Sequence, residues 1–119
     1  MQCRVAVLSD IHYDRAACDD GVQGCLNGRA LLTEAVHYLN ACIAPDLVLV
    51  LGDLVEAGDT EAGLECLREL RPALDLLAAP VLAVPGNHDP APEVFYSVFA
   101  APPAWLDATR VVGVATARR

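Results

Sequence analysis

In Val81-Leu82-Ala83-Val84-Pro85-Gly86-Asn87-His88-Asp89, four apolar residues run straight into a Pro-Gly turn. The turn then delivers an amide, an imidazole and a carboxylate in succession. A short buried strand that ends in so polar a cluster reads as a scaffold holding a site. Two other apolar runs end the same way. Val5-Ala6-Val7-Leu8-Ser9 leads into Asp10-Ile11-His12, and Leu47-Val48-Leu49-Val50-Leu51 leads into Gly52-Asp53. Three strands, each with metal-competent ligands at its carboxyl end, organise the reading of everything between them.

The first strand is predicted over 4–9. The polar loop over 10–27 that follows is long for a connection, and long loops at strand ends are often functional. Leu32, Ala35, Val36, Leu39 and Ile43 then recur at helical spacing, which predicts an amphipathic helix over 28–42, closed by Pro45. The second strand covers 47–51. After the loop 52–59, Asp59 or Thr60 can cap a second helix, whose apolar face is Leu64, Leu67, Leu70 or Arg71, Leu74 and Leu77. Pro72 is expected to kink or restart that helix, because it removes a backbone donor. A third strand over 81–84, a loop over 86–92, a short helix over 93–99, a Pro102-Pro103 turn and a weak strand over 111–115 complete the chain. Glu34, Glu61, Glu65 and Glu69 read as solvated helix positions, and His37 as a surface or packed histidine. Trp105 with Phe95, Tyr96 and Phe99 reads as a small core cluster.

Strands alternating with helices of this length give βαβ units and a parallel sheet, so the fold class is α/β with a βαβαβ order. All three strands are apolar on both faces, as strands buried on both sides are. Right-handed crossovers running in one direction put both helices on one face of the sheet. The other face is then uncovered, and a second copy of the chain is one way to cover it as a homodimer.

Composition narrows the function classes. At 119 residues the chain is one domain by size, able to bury roughly two-thirds of its extended-chain surface. An apolar share of 55% excludes disorder. No apolar run reaches the roughly 18 residues of a membrane span, and the first strand begins almost at Met1 with no room for a signal peptide, so a cytoplasmic protein is expected. Cys3, Cys18, Cys25, Cys42 and Cys66 are odd in number and lack zinc-type pairing, which predicts free thiols. Every basic residue is Arg, and the net charge of −8 argues against binding a nucleic-acid backbone. That charge fits a site where carboxylates gather around cations.

In an open parallel sheet, ligands bind outside the carboxyl ends of the strands. The rule brings Asp10, His12, Asp53, Asn87 and His88 to one edge. Carboxylate, imidazole and amide oxygen together favour manganese, iron or zinc over calcium or thiolate-preferring metals. Asp10 and His12 stand two apart, so in an extended segment both face one ion, and the two oxygens of Asp53 allow it to bridge two. Gly52 and Gly86 permit a close approach or a positive φ. Singly, each piece has a plainer reading: a Gly-Asp at a strand end is a turn, and Asn87-His88-Asp89 can be a helix-capping loop. The ordered triple, each member placed after a strand, favours a metal site.

Asp10-x-His12, Gly52-Asp53 and Gly86-Asn87-His88-Asp89 resemble the first three signature blocks of the calcineurin-like metallophosphoesterase superfamily. Leu8-Ser9-Asp10-Ile11-His12-Tyr13 and Gly52-Asp53-Leu54-Val55 are most similar to its bacterial cyclic-nucleotide phosphodiesterase-type members. The resemblance covers about residues 3 to 90. It implies the N-terminal half of a four-layer α/β/β/α sandwich and a hydrolase acting on phosphomono- or phosphodiesters, cyclic nucleotides among them. It also implies two divalent ions (Mn, Fe or Zn): Asp10 and His12 bind the first, Asp53 bridges, and Asn87 binds the second. His88 would contact the phosphate or protonate the leaving oxygen, oriented by Asp89. The expected partner is a small phosphoester, with no membrane.

Family members are about twice this length and carry a further His and a Gly-His-x-His block in their second half. This chain has only His12, His37 and His88. The expectation is therefore a single metallophosphoesterase-like domain over 1–119, truncated at its C-terminus, with an incomplete binuclear site. The alternatives are a non-catalytic metal- or phosphate-binding module and an inactive truncated remnant.

Overall fold

The computed structural model describes residues 2–15 and 28–101. Three parallel strands, β1 (Val5–Leu8), β2 (Leu47–Val50) and β3 (Val81–Ala83), form one sheet in the order β1-β2-β3. Their registers place Val5 beside Leu47, Leu8 beside Val50, and Val48 beside Val81. Between them run helices α1 (Gly28–Tyr38) and α2 (Glu61–Asp75), and α3 (Pro92–Val98) follows β3. This is the expected α/β order, consistent with the N-terminal half of a metallophosphoesterase sandwich.

Alternation along β2 sets the layers. Val48 and Val50 are fully buried and meet Leu32 and Val36 of α1 and Leu67, Leu70 and Leu74 of α2 in the main core. The opposite face has far less cover. Val5 and Val7 on it are 48% and 54% exposed, while Leu49 and Leu51 pack on Val84 in a small separate cluster of the described residues. The edge strand β1 is thus apolar and open on the side away from the helices.

Several boundaries moved, for local reasons. Helix α1 ends at Tyr38 and continues as a π-helical turn, Leu39–Ile43, which closes on Ala44 in a left-handed conformation (φ 49°) with its N–H on the Leu39 carbonyl. Thr60, rather than Asp59, caps α2 by accepting the Gly63 N–H at 3.0 Å. The helix does not restart at Pro72. Helix α2 runs through it to Asp75, and the burial of Leu67, Leu70, Ala73 and Leu74 on both sides of the proline outweighs one missing hydrogen bond.

Glu69 is also not a merely solvated position. It accepts the Tyr13 hydroxyl at 2.9 Å and pairs with Arg15, so it ties the loop after β1 to α2. Burial, followed by that hydrogen bond, pushes the Tyr13 phenol up to about 12. His37, Glu34, Glu61 and Glu65 are exposed as expected. Phe95 packs on Tyr96 and Phe99, with ring centroids 5.4 and 5.2 Å away. Trp105, the Pro102-Pro103 turn, the strand over 111–115, and Cys18 and Cys25 lie outside the described residues. Among those described, Cys3, Cys42 and Cys66 are free thiols, and no helix is long and apolar enough to cross a membrane.

Leu67 is fully buried under the sheet, whereas Leu76 is half exposed at the end of α2. Leu67→Ala is expected to lower unfolding free energy by about 2–5 kcal/mol in a denaturant titration. Leu76→Ala should change it by no more than about 0.5 kcal/mol.

Candidate metal centre

Each strand hands its loop to the next by main-chain hydrogen bonds that carry the parallel pairing past the sheet. The Asp10 N–H donates to the Gly52 carbonyl (3.1 Å), His12 to Asp53 (3.0 Å) and Tyr13 to Leu54 (2.9 Å), and Glu56 returns one to Tyr13 (3.2 Å). Tyr13 and Val55 form a further parallel bridge. The loops after β1 and β2 therefore lie side by side, and Asp10, His12 and Asp53 converge.

Their backbone is unusual. Asp10 (φ 58°), His12 (φ 48°) and Asp53 (φ 54°) are all left-handed, and Gly52, just before Asp53, has φ 95°. Non-glycine residues rarely adopt this conformation, which costs on the order of 1–3 kcal/mol each and gathers at functional sites. The segment is not extended, as the two-residue spacing of Asp10 and His12 had suggested. The left-handed turns bring the pair together instead, with His12 Nε2 3.5 Å from Asp10 Oδ1. One ligand atom each from Asp10, His12 and Asp53 lies within 4.8 Å of the other two. The Ser9 hydroxyl donates to Asp10 Oδ2 at 2.6 Å, and this bond, followed by His12, holds the Asp10 carboxyl below its ordinary value.

The turn after β3 closes the other side. Gly86 packs so tightly on Asp53 that a Cβ there would collide with the Asp53 nitrogen and carboxylate. This glycine is required for close approach, while Gly52 is required for its φ. Asp53 Oδ1 accepts the His88 N–H at 2.9 Å. The His88 ring stands edge-on to His12, with centroids 4.8 Å apart and planes at 77°. Asn87 is exposed on the same turn.

Asp89 differs from expectation. Its carboxylate does not hold the His88 ring. It is buried and accepts three backbone N–H groups, from Leu54 (2.8 Å) and Val55 (3.2 Å) on one oxygen and from Gly86 (2.8 Å) on the other. Burial pushes its carboxyl up, and those bonds pull the opposite way. The His88 ring is held elsewhere: its Nδ1 meets the Glu56 carbonyl at 2.8 Å.

Glu56 was missed in the sequence. Its carboxylate meets His12 Nδ1 at 2.8 Å, and His12, Glu56 and His88 form a second cluster of ligand-type atoms within 4.8 Å. The available signal was an acid three residues beyond Asp53, set after the apolar pair Leu54-Val55 that dives into the core. The donor set of Asp10, His12 and Asp53, two carboxylates and one imidazole, suits a hard or borderline divalent cation.

The family model for calcineurin-like phosphoesterases matches residues 3–115. This chain belongs to that family. Calcineurin-like phosphoesterases are metal-dependent hydrolases of phosphoesters, and the converging carboxylates and histidines are the part of this member that suits a metal. Among solved structures, a protein of unknown function from Aquifex aeolicus is similar at 18% identity and TM-score 0.46. The match takes in 84% of this chain and 50% of that one, so the chain spans about half that protein's length. Among curated proteins none matches.

Two outcomes are expected. Asp89→Asn places an amide donor against backbone N–H groups and should cost about 1–3 kcal/mol in urea unfolding of the metal-free protein. Secondly, the Glu56 carbonyl, before any other group, raises the affinity of His88 for a proton. An NMR titration of the metal-free chain should give a His88 midpoint above about 6.5. Since the folded value exceeds the unfolded one, this contact stabilises fully below about pH 6.5, and its contribution fades as pH rises through the folded value.

Proposed function

We propose that this chain hydrolyses phosphomono- or phosphodiesters, cyclic nucleotides included, at a centre for two divalent ions (Mn, Fe or Zn). The observation that carries the reading is the convergence of Asp10, His12 and Asp53 on left-handed backbone, beside the His88 ring. Asp10 and His12 would hold the first ion, Asp53 would serve both and Asn87 the second. Bound ions would offset the phosphate charge, activate water and stabilise an in-line displacement.

The chain's own groups support this assignment. Asp10, Asp53 and Glu56 surround the site with carboxylates, which repel a bare phosphate, so cations are required before an anionic ester can enter. The Oδ1 atom of Asp53 is already committed to the His88 N–H. That bond fixes the carboxylate plane and sets the turn carrying Asn87 and His88 against it. His88 has Nδ1 on the Glu56 carbonyl, which leaves Nε2, protonated in the imidazolium form, as the atom to donate to a phosphate oxygen and pass a proton to the leaving group. Asp89 acts as a positioning residue by shaping the turn that presents both side chains.

The test is hydrolysis of bis(p-nitrophenyl) phosphate by the purified chain with Mn²⁺. Turnover is expected, abolished in Asp53→Ala and reduced about 10²- to 10⁴-fold in His88→Ala. Folded protein that binds Mn²⁺ without turnover would sink the hydrolase reading for this chain and leave a metal-binding module.

A further inference from the structure

We infer that Glu56 is the positioning residue of the centre: through its carboxylate it holds His12, through its own carbonyl it holds His88, and it turns Nε2 of both rings to the site. The inference rests on the metal-centre reading above. The Glu56 Oε2 atom lies 2.8 Å from His12 Nδ1, and the Glu56 carbonyl oxygen lies 2.8 Å from His88 Nδ1. A carboxylate and a carbonyl can only accept, so both Nδ1 atoms must donate. A neutral imidazole has one N–H, so in the neutral form of each ring it is Nε2 that keeps the bare lone pair. For His12 that lone pair lies on the Asp10 side, 3.5 Å from Oδ1.

The clamp is anchored on rigid backbone. Leu54 and Val55, just before Glu56, are fully buried, and the Glu56 N–H is tied to the Tyr13 carbonyl at 3.2 Å. One residue thus reaches two rings whose centroids are 4.8 Å apart. Metal-binding histidines commonly donate their second ring nitrogen to an acceptor of this kind, which fixes tautomer and orientation. The competing assignment makes Glu56, His12 and His88 direct ligands of one ion. It would draw onto the ion the Glu56 carboxylate that now meets His12 Nδ1.

The experiment uses the full chain with isotope-labelled histidine. Nitrogen-resolved NMR of the metal-free protein reports which ring nitrogen carries the proton, and Zn²⁺ titration by calorimetry follows. The expected result is Nδ1–H on both His12 and His88. In Glu56→Ala, His12 should lose that preference while His88 keeps it, since the carbonyl remains; a general structural defect would disturb both. Zn²⁺ affinity should fall about 10- to 100-fold in Glu56→Ala and recover partly in Glu56→Gln, which retains an acceptor oxygen. On Zn²⁺ binding, His12 should be metallated at Nε2. An Nε2–H tautomer of His12 in the unsubstituted chain, no change in Glu56→Ala, or zinc on Nδ1 would each overturn the inference. If the tautomers respond as expected but no Zn²⁺ binds, the clamp stands and the metal-centre reading fails.

Discussion

Two carboxylates exchange main-chain hydrogen bonds across the loops that follow β2 and β3, and the site depends on that exchange. Asp89 reaches from the third loop to the N–H groups of Leu54 and Val55 in the second, while Asp53 reaches from the second to the N–H of His88 in the third. Neither loop has a regular strand to dictate its path at that point. The acceptor oxygens supply the specification, and burial of Asp89 makes it strict, because a buried donor left unpaired is costly. Backbone pairing between the first and second loops completes the frame. Asp10, His12, Asp53, Asn87 and His88 are therefore carried by loops that are hydrogen-bonded to one another.

Much of this was legible from residue types alone. The apolar runs fixed the three strands, and the polar cluster after each run fixed the edge at which the site lies, because period and strand polarity are local properties. Boundaries near Leu39 and Pro72 were harder to read. There, tertiary burial overrides the local preference for a regular end or a break. The part of the site that stayed hidden is the part made by partner choice. Nothing in Asn87-His88-Asp89 says that the carboxylate turns inward to main chain, or that the imidazole finds a carbonyl from another loop. Glu56 and Glu69 look like any solvated acid until the chain that opposes them is known.

The balance of charge tells the same story from the other direction. Carboxylates outnumber guanidinium groups two to one across the chain, with 16 acids and 8 arginines. At the carboxyl edge of the sheet three acids lie together, with two imidazoles among them. Hydrogen bonds from Ser9, His12 and the main chain take up part of that density without cancelling it. Such a charge distribution favours a positive occupant, and in the proposed function an anionic ester becomes a fitting guest only after it.

The left-handed backbone at Asp10, His12 and Asp53 has a consequence for how such a chain drifts. A glycine at any of these positions would relieve the torsional cost, so replacements there could make the fold more robust while stripping the edge of its ligands. Pressure for stability alone would erase the three residues. If the three residues serve the proposed centre, a descendant released from that function should lose these side chains before it loses the core beneath them.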